Sequence, residues 1–110
     1  MLAKAERLRT AEEFRTTVRR GVRAGRPTVV LHMVRTENPP SRAGFVVSKA
    51  VGNAVRRNRV KRQLRHLVAA RIDDTPFSLD VVVRALPQHG HLADDLNTAW
   101  TATAAKLART

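Results

Sequence analysis

Alternating apolar and polar residues mark three candidate β-strands. Residues 28–34 place apolar side chains at every odd position, which is the two-residue period of a half-buried strand. Residues 44–49 form a second candidate strand after a proline-containing loop at 37–40, and we expect these two strands to pair as an antiparallel hairpin. Residues 79–86 are almost continuously apolar, as in a strand that is buried on both faces.

A capping box predicts the first helix. Thr10 and Glu13 are spaced so that each side chain can accept a hydrogen bond from a free backbone N–H of the first turn. The helix is expected to run to about residue 20 and to end at Gly21. Phe14 and Val18 are four residues apart and therefore share one face.

Two further helices complete the predicted fold. Asn53 is a favourable N-cap for a long helix through about residue 71, and Pro76 lies in the break that follows. A last helix is expected over residues 92–108, with Leu96 and Trp100 near one face. The predicted order αββαβα indicates an α+β fold, an α-β sandwich with helices packed against a small sheet, formed by a single domain over residues 1–110.

Length and composition narrow the class of protein. A chain of 110 residues favours one domain, and no run of apolar residues is long enough to span a membrane. The N-terminus lacks the apolar segment of a secretory signal. The absence of cysteine excludes disulfides and thiolate chemistry and fits a reducing, cytoplasmic location.

The positive charge is large and unevenly distributed. The formal net charge is +12, and eighteen of the 21 Lys and Arg residues lie within residues 1–72. No acidic residue occurs between residues 38 and 72, a region that is also rich in periodic apolar positions. The charge therefore belongs to folded structure, and it predicts a polyanionic partner.

The second predicted helix concentrates this charge on one side. Its apolar residues fall within one sector of the helix and are expected to pack on the sheet: Val60, Leu64, Leu67 and Val68. Asn58, Arg62 and Arg65 run along the opposite side, and Arg59 and Lys61 flank them. Two more basic residues, Arg56 and Arg57, lie in the first turn, where the free backbone N–H groups of a helix also favour an anion. A solvated helix face is the usual explanation for one or two arginines. Six cations without a neighbouring carboxylate repel one another, so polyanion binding is the better interpretation.

A longer motif surrounds these residues. The segment SKAVGNAV at 48–55, followed by RRNRVKR at 56–62 and Arg65, resembles the signature of the bacterial ribonuclease P protein family. The resemblance extends to Arg7-Leu8, to Glu13-Phe14 and Gly21, and to the positions of the last strand and helix. It implies the family's α-β sandwich, with a left-handed βαβ crossover that is also found in the second domain of a small-subunit ribosomal protein.

The resemblance also implies partners and a site. The expected partners are the catalytic ribonuclease P RNA and precursor tRNA, with Mg²⁺ bound mainly by the RNA, and no membrane or stable protein partner. The protein would assist removal of the 5′ leader without supplying a catalytic residue or a metal ligand. The residues expected at the RNA are Lys49, Asn53, Arg56, Arg57, Asn58, Arg59, Lys61, Arg62 and Arg65.

A cleft between the first helix and the sheet would hold the single-stranded leader, with Phe14, Val18 and His32 as its candidate residues. Relatives commonly carry a second aromatic residue where this chain has Val18 and a second lysine where it has Ala50. Fewer aromatic side chains reduce the stacking available to leader bases. A core position is about as good an explanation for Phe14, and a half-buried strand position is the favoured one for His32.

No protein active site is predicted. His89 and His91 lack a third ligand nearby in sequence, and a turn before the last helix explains them better than a metal site. Two alternatives to a ribonuclease P subunit remain at this point: a structural RNA-binding protein of ribosomal type, and a helix-turn-helix DNA-binding protein. The second would require a helix just before the basic one, where residues 44–49 look like a strand.

Overall fold

A computed structural model describes residues 6–109. Three helices flank a four-stranded sheet. In chain order, the elements are α1 (Ala11–Arg20), β1 (Val22–Gly25), β2 (Val29–Arg35), β3 (Arg42–Val46), a 3-10 turn (Lys49–Val51), α2 (Ala54–Asp74), β4 (Leu79–Ala85) and α3 (Leu92–Ala108). The α+β class is therefore confirmed, and the order gains one strand relative to the sequence prediction.

The sheet order is β1-β2-β4-β3. The predicted antiparallel hairpin of β2 and β3 does not form, because β4 lies between these two strands. Strand β4 is antiparallel to β2 and parallel to β3. The loop after β2 crosses the start of β4: the Thr36 N–H donates to the Ser78 carbonyl (2.9 Å), and the Leu79 N–H donates to Ser41 Oγ (3.0 Å). The apolar character of β4 on both faces suits this central position.

The strand that the sequence analysis missed is β1. It pairs with β2 in an antiparallel hairpin that runs from Val22 opposite Met33 to Gly25 opposite Val30. At four residues it is too short to show a clear period, and it follows the end of α1 after a single residue.

The core lies on one face of the sheet. The odd positions of β2 and β4 are buried there against α3 and α2, with Trp100, Leu96, Leu64 and Val68 fully buried at the centre. The apolar sectors predicted for both helices are thus confirmed. We call the other face of the sheet, which α1 covers in part, the open face.

The ends of the helices largely follow their local signals. Thr10 and Glu13 form the predicted capping box, and α3 has the predicted bounds. Helix α2 is three residues longer than predicted, because Ile72 still packs against the core and Thr75 closes the last turn. The Thr75 hydroxyl donates to the Arg71 carbonyl (2.7 Å) and accepts from Trp100 Nε1 (3.1 Å).

The architecture was compared with two other arrangements, a helix-turn-helix and a membrane-spanning helix. The element before α2 is a strand followed by a 3-10 turn, so residues 42–74 do not form a helix-turn-helix. Among residues 6–109, no helix combines the length and apolar character needed to cross a bilayer.

Candidate nucleic-acid interface

A tight turn fixes the start of α2. Gly52 has φ +153°, a conformation that is open essentially to glycine alone. Asn53 then caps the helix by accepting from the Arg56 N–H (2.9 Å). The Arg56 side chain folds back across Gly52, where a Cβ atom would collide with it. The glycine and asparagine of the motif therefore position the first turn of the basic helix.

Arg56 itself is largely occupied by this turn. Its Nε donates to the Val51 carbonyl (2.9 Å), and its Nη2 lies 3.0 Å from His89 Nδ1 in the loop before α3. The side chain is half-buried. Of the nine residues expected at the RNA, two thus have an evident structural role. The N-cap role of Asn53 was predicted and is confirmed, whereas the contacts of Arg56 were not predicted.

The remaining cations form a continuous surface, which we call the basic face: Arg57, Arg59, Lys61, Arg62 and Arg65. Arg59 and Arg62 are exposed, as are Asn58 on the same helix and Lys49 in the preceding 3-10 turn. The other three are half-buried. Among residues 6–109, no carboxylate lies within 4.0 Å of a cationic group of the basic face. The charge is therefore uncompensated within this part of the chain.

Phe14 connects the basic face to α1. Its ring lies directly over Gly44 of β3, at a position where any larger residue would collide with it. Phe14 and Gly44 line a pocket of about 150 Å³ together with Phe45, Lys61 and Arg65. The structure thus brings together one residue of the predicted leader cleft and two of the predicted RNA-binding residues.

Val18 and His32 lie outside this pocket. Val18 is 40 % exposed on α1. His32 is half-buried on the open face, in the row of paired residues that also contains Val82 and Gly44. Strands are about 4.8 Å apart, so His32 lies roughly 10 Å from Gly44 across the sheet. Burial and the charges of Arg23 and Arg84 lower the pKa of His32, which therefore favours the neutral imidazole.

Helix α1 is held in place by two residues that were not predicted from the sequence, Arg42 and Asp80. Arg42 of β3 donates to Glu13 Oε2 (2.6 Å) and makes a bidentate contact with Asp80 of β4 (2.8 and 3.1 Å). Backbone N–H groups of Arg9 and Thr10 and the Arg42 guanidinium lower the pKa of Glu13 to about 2. The hydrogen bonds and charges of Asp80 and Glu13 in turn raise the pKa of Arg42.

The described residues offer little for metal chemistry. Within residues 6–109, no group of three or more His, Asp or Glu side chains is arranged to hold a metal ion. His89 contacts Arg56, and the carboxylates of Glu13 and Asp80 face Arg42.

Comparison with known proteins decides the family. The profile of the ribonuclease P family matches residues 2–107, nearly the whole chain. The chain belongs to the ribonuclease P protein family. The ribonuclease P protein component of Streptomyces bikiniensis is 52 % identical over 113 residues, covering 90 % of this chain and 92 % of that protein. That of a Nocardioides species is 50 % identical over 112 residues, covering 99 % and 87 %.

Solved structures of family members have the same fold. The Staphylococcus aureus RNase P protein matches with a TM-score of 0.79 at 23 % identity, over 90 % of this chain and 95 % of that one. The Thermotoga maritima protein matches with a TM-score of 0.64 at 26 % identity, over 94 % and 93 %. This family member is accordingly a protein component of a tRNA-processing endoribonuclease.

Proposed function

We propose that this chain binds the catalytic RNA of ribonuclease P through the basic face of α2 and the 5′ leader of precursor tRNA through the cleft between α1 and the sheet. It thereby assists endonucleolytic removal of the leader in the cytoplasm, where bacterial precursor tRNA is made. The observation that carries the proposal is the uncompensated basic face, which adjoins the Phe14 pocket.

Electrostatics support the assignment of α2 to the RNA subunit. Folded RNA presents closely spaced phosphates, and guanidinium groups bind phosphate oxygens in a bidentate manner. Arg59 and Arg62 are exposed, and Lys49 extends the surface beyond the start of the helix. Pairing these cations with phosphates relieves their mutual repulsion, which no carboxylate of α2 relieves before Asp73.

The geometry of α1 supports the assignment of the cleft to the leader. A single-stranded segment can place a base against an aromatic ring while its backbone contacts nearby cations. Phe14 with Lys61 and Arg65 offers both contacts within one pocket. Glu13 and Arg42 hold the helix that carries Phe14 over the sheet, so the ring is positioned before RNA binds.

The chemistry is assigned to the RNA subunit. Mg²⁺ bound mainly by that RNA supplies the charge stabilisation and activated water that phosphodiester hydrolysis needs. The residues of this chain bind and orient the two RNAs. The basic face contributes counter-charge where they meet, and Phe14 holds the leader.

Substitution of Phe14 tests the leader assignment. In enzyme reconstituted with the RNA subunit, Phe14→Ala should weaken binding of precursor tRNA by roughly fivefold to a hundredfold, the value of one lost stacking contact. Binding of mature tRNA, which has no leader, should be unchanged. The comparison uses variant protein whose folded fraction has been measured by circular dichroism, because Phe14 also packs on Gly44.

The outcomes are distinct. If Phe14→Ala weakened the binding of precursor and mature tRNA equally, Phe14 would not contact the leader. Failure of the wild-type chain to stimulate leader cleavage by a matched RNA subunit would remove the proposal altogether. Loss of folding without loss of discrimination in the folded fraction would assign Phe14 to the core.

A further inference from the structure

A second pocket lies on the flank of α2 that is opposite the Phe14 pocket. Its volume is about 300 Å³, and it is bounded by α2, by the end of β4 and by the loop that leads into α3. Successive residues of a helix are about 100° apart, so Arg56, Arg59 and Gln63 share one flank, whereas Lys61 and Arg65 lie on the other. We call this cavity the α2–α3 pocket, and we define it by six of its lining residues: Arg56, Arg59, Gln63, Leu86, His89 and Leu92.

Long-range contacts fix the loop that forms one wall of the pocket. The N–H and the hydroxyl of Thr28 both donate to Asp95 Oδ2 of α3 (3.0 and 2.6 Å), and the Leu86 N–H donates to the Thr28 carbonyl (2.9 Å). Gly90 packs so closely on Thr28 that a Cβ atom would lie 2.9 Å from its methyl group. The loop is therefore tied to the sheet and to α3, and the pocket is formed before any ligand binds.

Polar groups of the pocket retain hydrogen-bonding capacity. Arg56 Nε and Nη2 contact the Val51 carbonyl and His89, but among residues 6–109 no hydrogen bond involves its Nη1. A guanidinium can only donate, so His89 Nδ1 is the acceptor, and the neutral ring carries its proton on Nε2. That N–H can donate to a ligand. No carboxylate is among the described residues that line the pocket.

The deeper part of the lining is apolar: Val51, Val60, Leu86 and Leu92. These residues are buried or half-buried, whereas Arg59, Gln63 and His89 are exposed. A nucleobase has apolar faces and an edge of hydrogen-bonding groups, so it suits a site with apolar walls and polar groups at its mouth. The size of the pocket suits one nucleotide and excludes an RNA helix.

Arg59 belongs both to this pocket and to the basic face, so an RNA bound on the basic face passes the mouth of the pocket. We propose that the α2–α3 pocket receives one unpaired nucleotide of the RNA subunit. Its base enters the apolar part and hydrogen-bonds to Gln63 and His89, while Arg56 and Arg59 bind the adjoining phosphate. The inference rests on the proposed function. It adds recognition of one nucleotide to phosphate contacts that carry no sequence information.

Binding of the full chain to its RNA subunit tests the pocket. Gln63→Ala removes an exposed amide without changing the charge, and it should weaken binding roughly threefold to tenfold. The matched control is Asn97→Ala, which removes the same group from an exposed position of α3 outside the pocket and should leave binding unchanged. Thermal midpoints of both variants should equal that of the wild-type chain. Equal affinities of Gln63→Ala and wild type, or equal losses for the two variants, would overturn the inference.

Crosslinking identifies the nucleotide. The sequence has no cysteine, so Gln88→Cys places a single thiol at the pocket for a photoreactive crosslinker. In the assembled enzyme, crosslinks should fall on one unpaired nucleotide of the RNA subunit. Replacing this nucleotide by an abasic one should abolish the difference in affinity between the wild-type chain and Gln63→Ala. Crosslinks to paired nucleotides only, no crosslink, or a difference that persists with the abasic RNA would contradict the proposal.

Free mononucleotides distinguish the source of the ligand. The RNA subunit should protect the thiol of Gln88→Cys from alkylation, and AMP, GMP, CMP and UMP should not do so more effectively. Protection by a free mononucleotide without protection by the RNA subunit would assign the pocket to a free nucleotide and overturn the inference. If the wild-type chain does not bind the RNA subunit at all, the proposed function fails first.

Discussion

Glu13 joins two parts of the molecule that are far apart in sequence. Its Oε1 accepts from the N–H groups of Arg9 (2.8 Å) and Thr10 (2.9 Å), and its Oε2 accepts from Arg42 (2.6 Å). One carboxylate thus caps α1 and ties it to the sheet. The position of Phe14, one residue further on, depends on both contacts.

The pH dependence of folding tests this role. The pKa of Glu13 is lowered to about 2 in the folded chain, so its charge stabilises the fold above its ordinary pKa of 4.5. This stabilisation declines as the pH falls from there and is lost as the pH passes below about 2. Glu13→Gln should therefore lower the free energy of unfolding by roughly 1–2 kcal/mol at pH 7 and by less at pH 3.

Urea unfolding at the two pH values measures the difference, with Glu12→Gln as the control on the same turn. Glu12 is exposed and carries the same formal charge. A deficit for Glu13→Gln that is equal at both pH values, or a deficit matched by Glu12→Gln, would contradict the assignment.

Helix α2 combines a buried side with a charged one. Leu64 and Val68 are completely buried, whereas Arg62, two residues before Leu64, lies on the exposed side. Packing against the sheet provides most of the stability of such a helix. Its charged side can therefore remain electrostatically unfavourable in the free protein.

Charge reversal on α2 should separate binding from stability. Arg62→Glu combined with Arg65→Glu should weaken association with the RNA subunit at least tenfold and leave the thermal midpoint nearly unchanged. If about six phosphates are neutralised by the wild-type chain, the log–log dependence of its affinity on salt has a slope near −4 to −5, and the variant's slope should be shallower by about 1.4–1.8.

Lys106→Glu combined with Arg109→Glu makes the same change of charge on α3 and provides the control. Filter binding over a range of salt concentrations gives both the affinities and the slopes. A flat salt response of the wild-type chain, or equal losses for the two double variants, would exclude the basic face as the RNA contact.

Local signals predicted most of the elements, and long-range contacts decided the rest. The Thr10–Glu13 capping box and the apolar face of α3 depend on residues within a few positions, so the sequence pattern was sufficient. Strand order depends on contacts such as Thr36 with Ser78, 42 residues apart, and the expected hairpin was wrong for that reason.

The candidate site shows the same division. The basic face could be predicted from helical spacing, because one helix carries it. Other features form only where two or more elements meet, so no local sequence pattern predicts them. Examples are the contact of Arg56 with His89 and the pocket that joins Phe14 to Lys61. The leader cleft itself remains a prediction.

The whole molecule places the two proposed RNA-binding surfaces, the basic face and the leader cleft, on either side of one strand. Helix α1 lies on the open face, α2 packs with the core face, and both reach Gly44 and Phe45 of β3 at the edge of the sheet. An RNA on the basic face and a leader in the cleft would therefore approach each other at this edge. Such an arrangement is expected of a protein whose role is to position a substrate beside a catalytic RNA.

This arrangement predicts how the Mg²⁺ requirement should change. On the proposed function, each cation of the basic face would replace part of the counter-charge that docking of two RNAs otherwise draws from metal ions. The chain should therefore stimulate leader cleavage by its RNA subunit strongly at low Mg²⁺ and progressively less as the concentration rises. The measurement is cleavage across a Mg²⁺ series with RNA alone, protein alone and both.

The variant carrying Arg62→Glu and Arg65→Glu provides the decisive comparison, because its Mg²⁺ requirement should move back toward that of RNA alone. Protein alone should not cleave at any concentration, since cleavage is assigned to the RNA. Site-specific cleavage by rigorously RNA-free protein would contradict the division of labour between the two subunits. Stimulation that is independent of Mg²⁺ would instead contradict the counter-charge mechanism, because neutral contacts would then account for the effect.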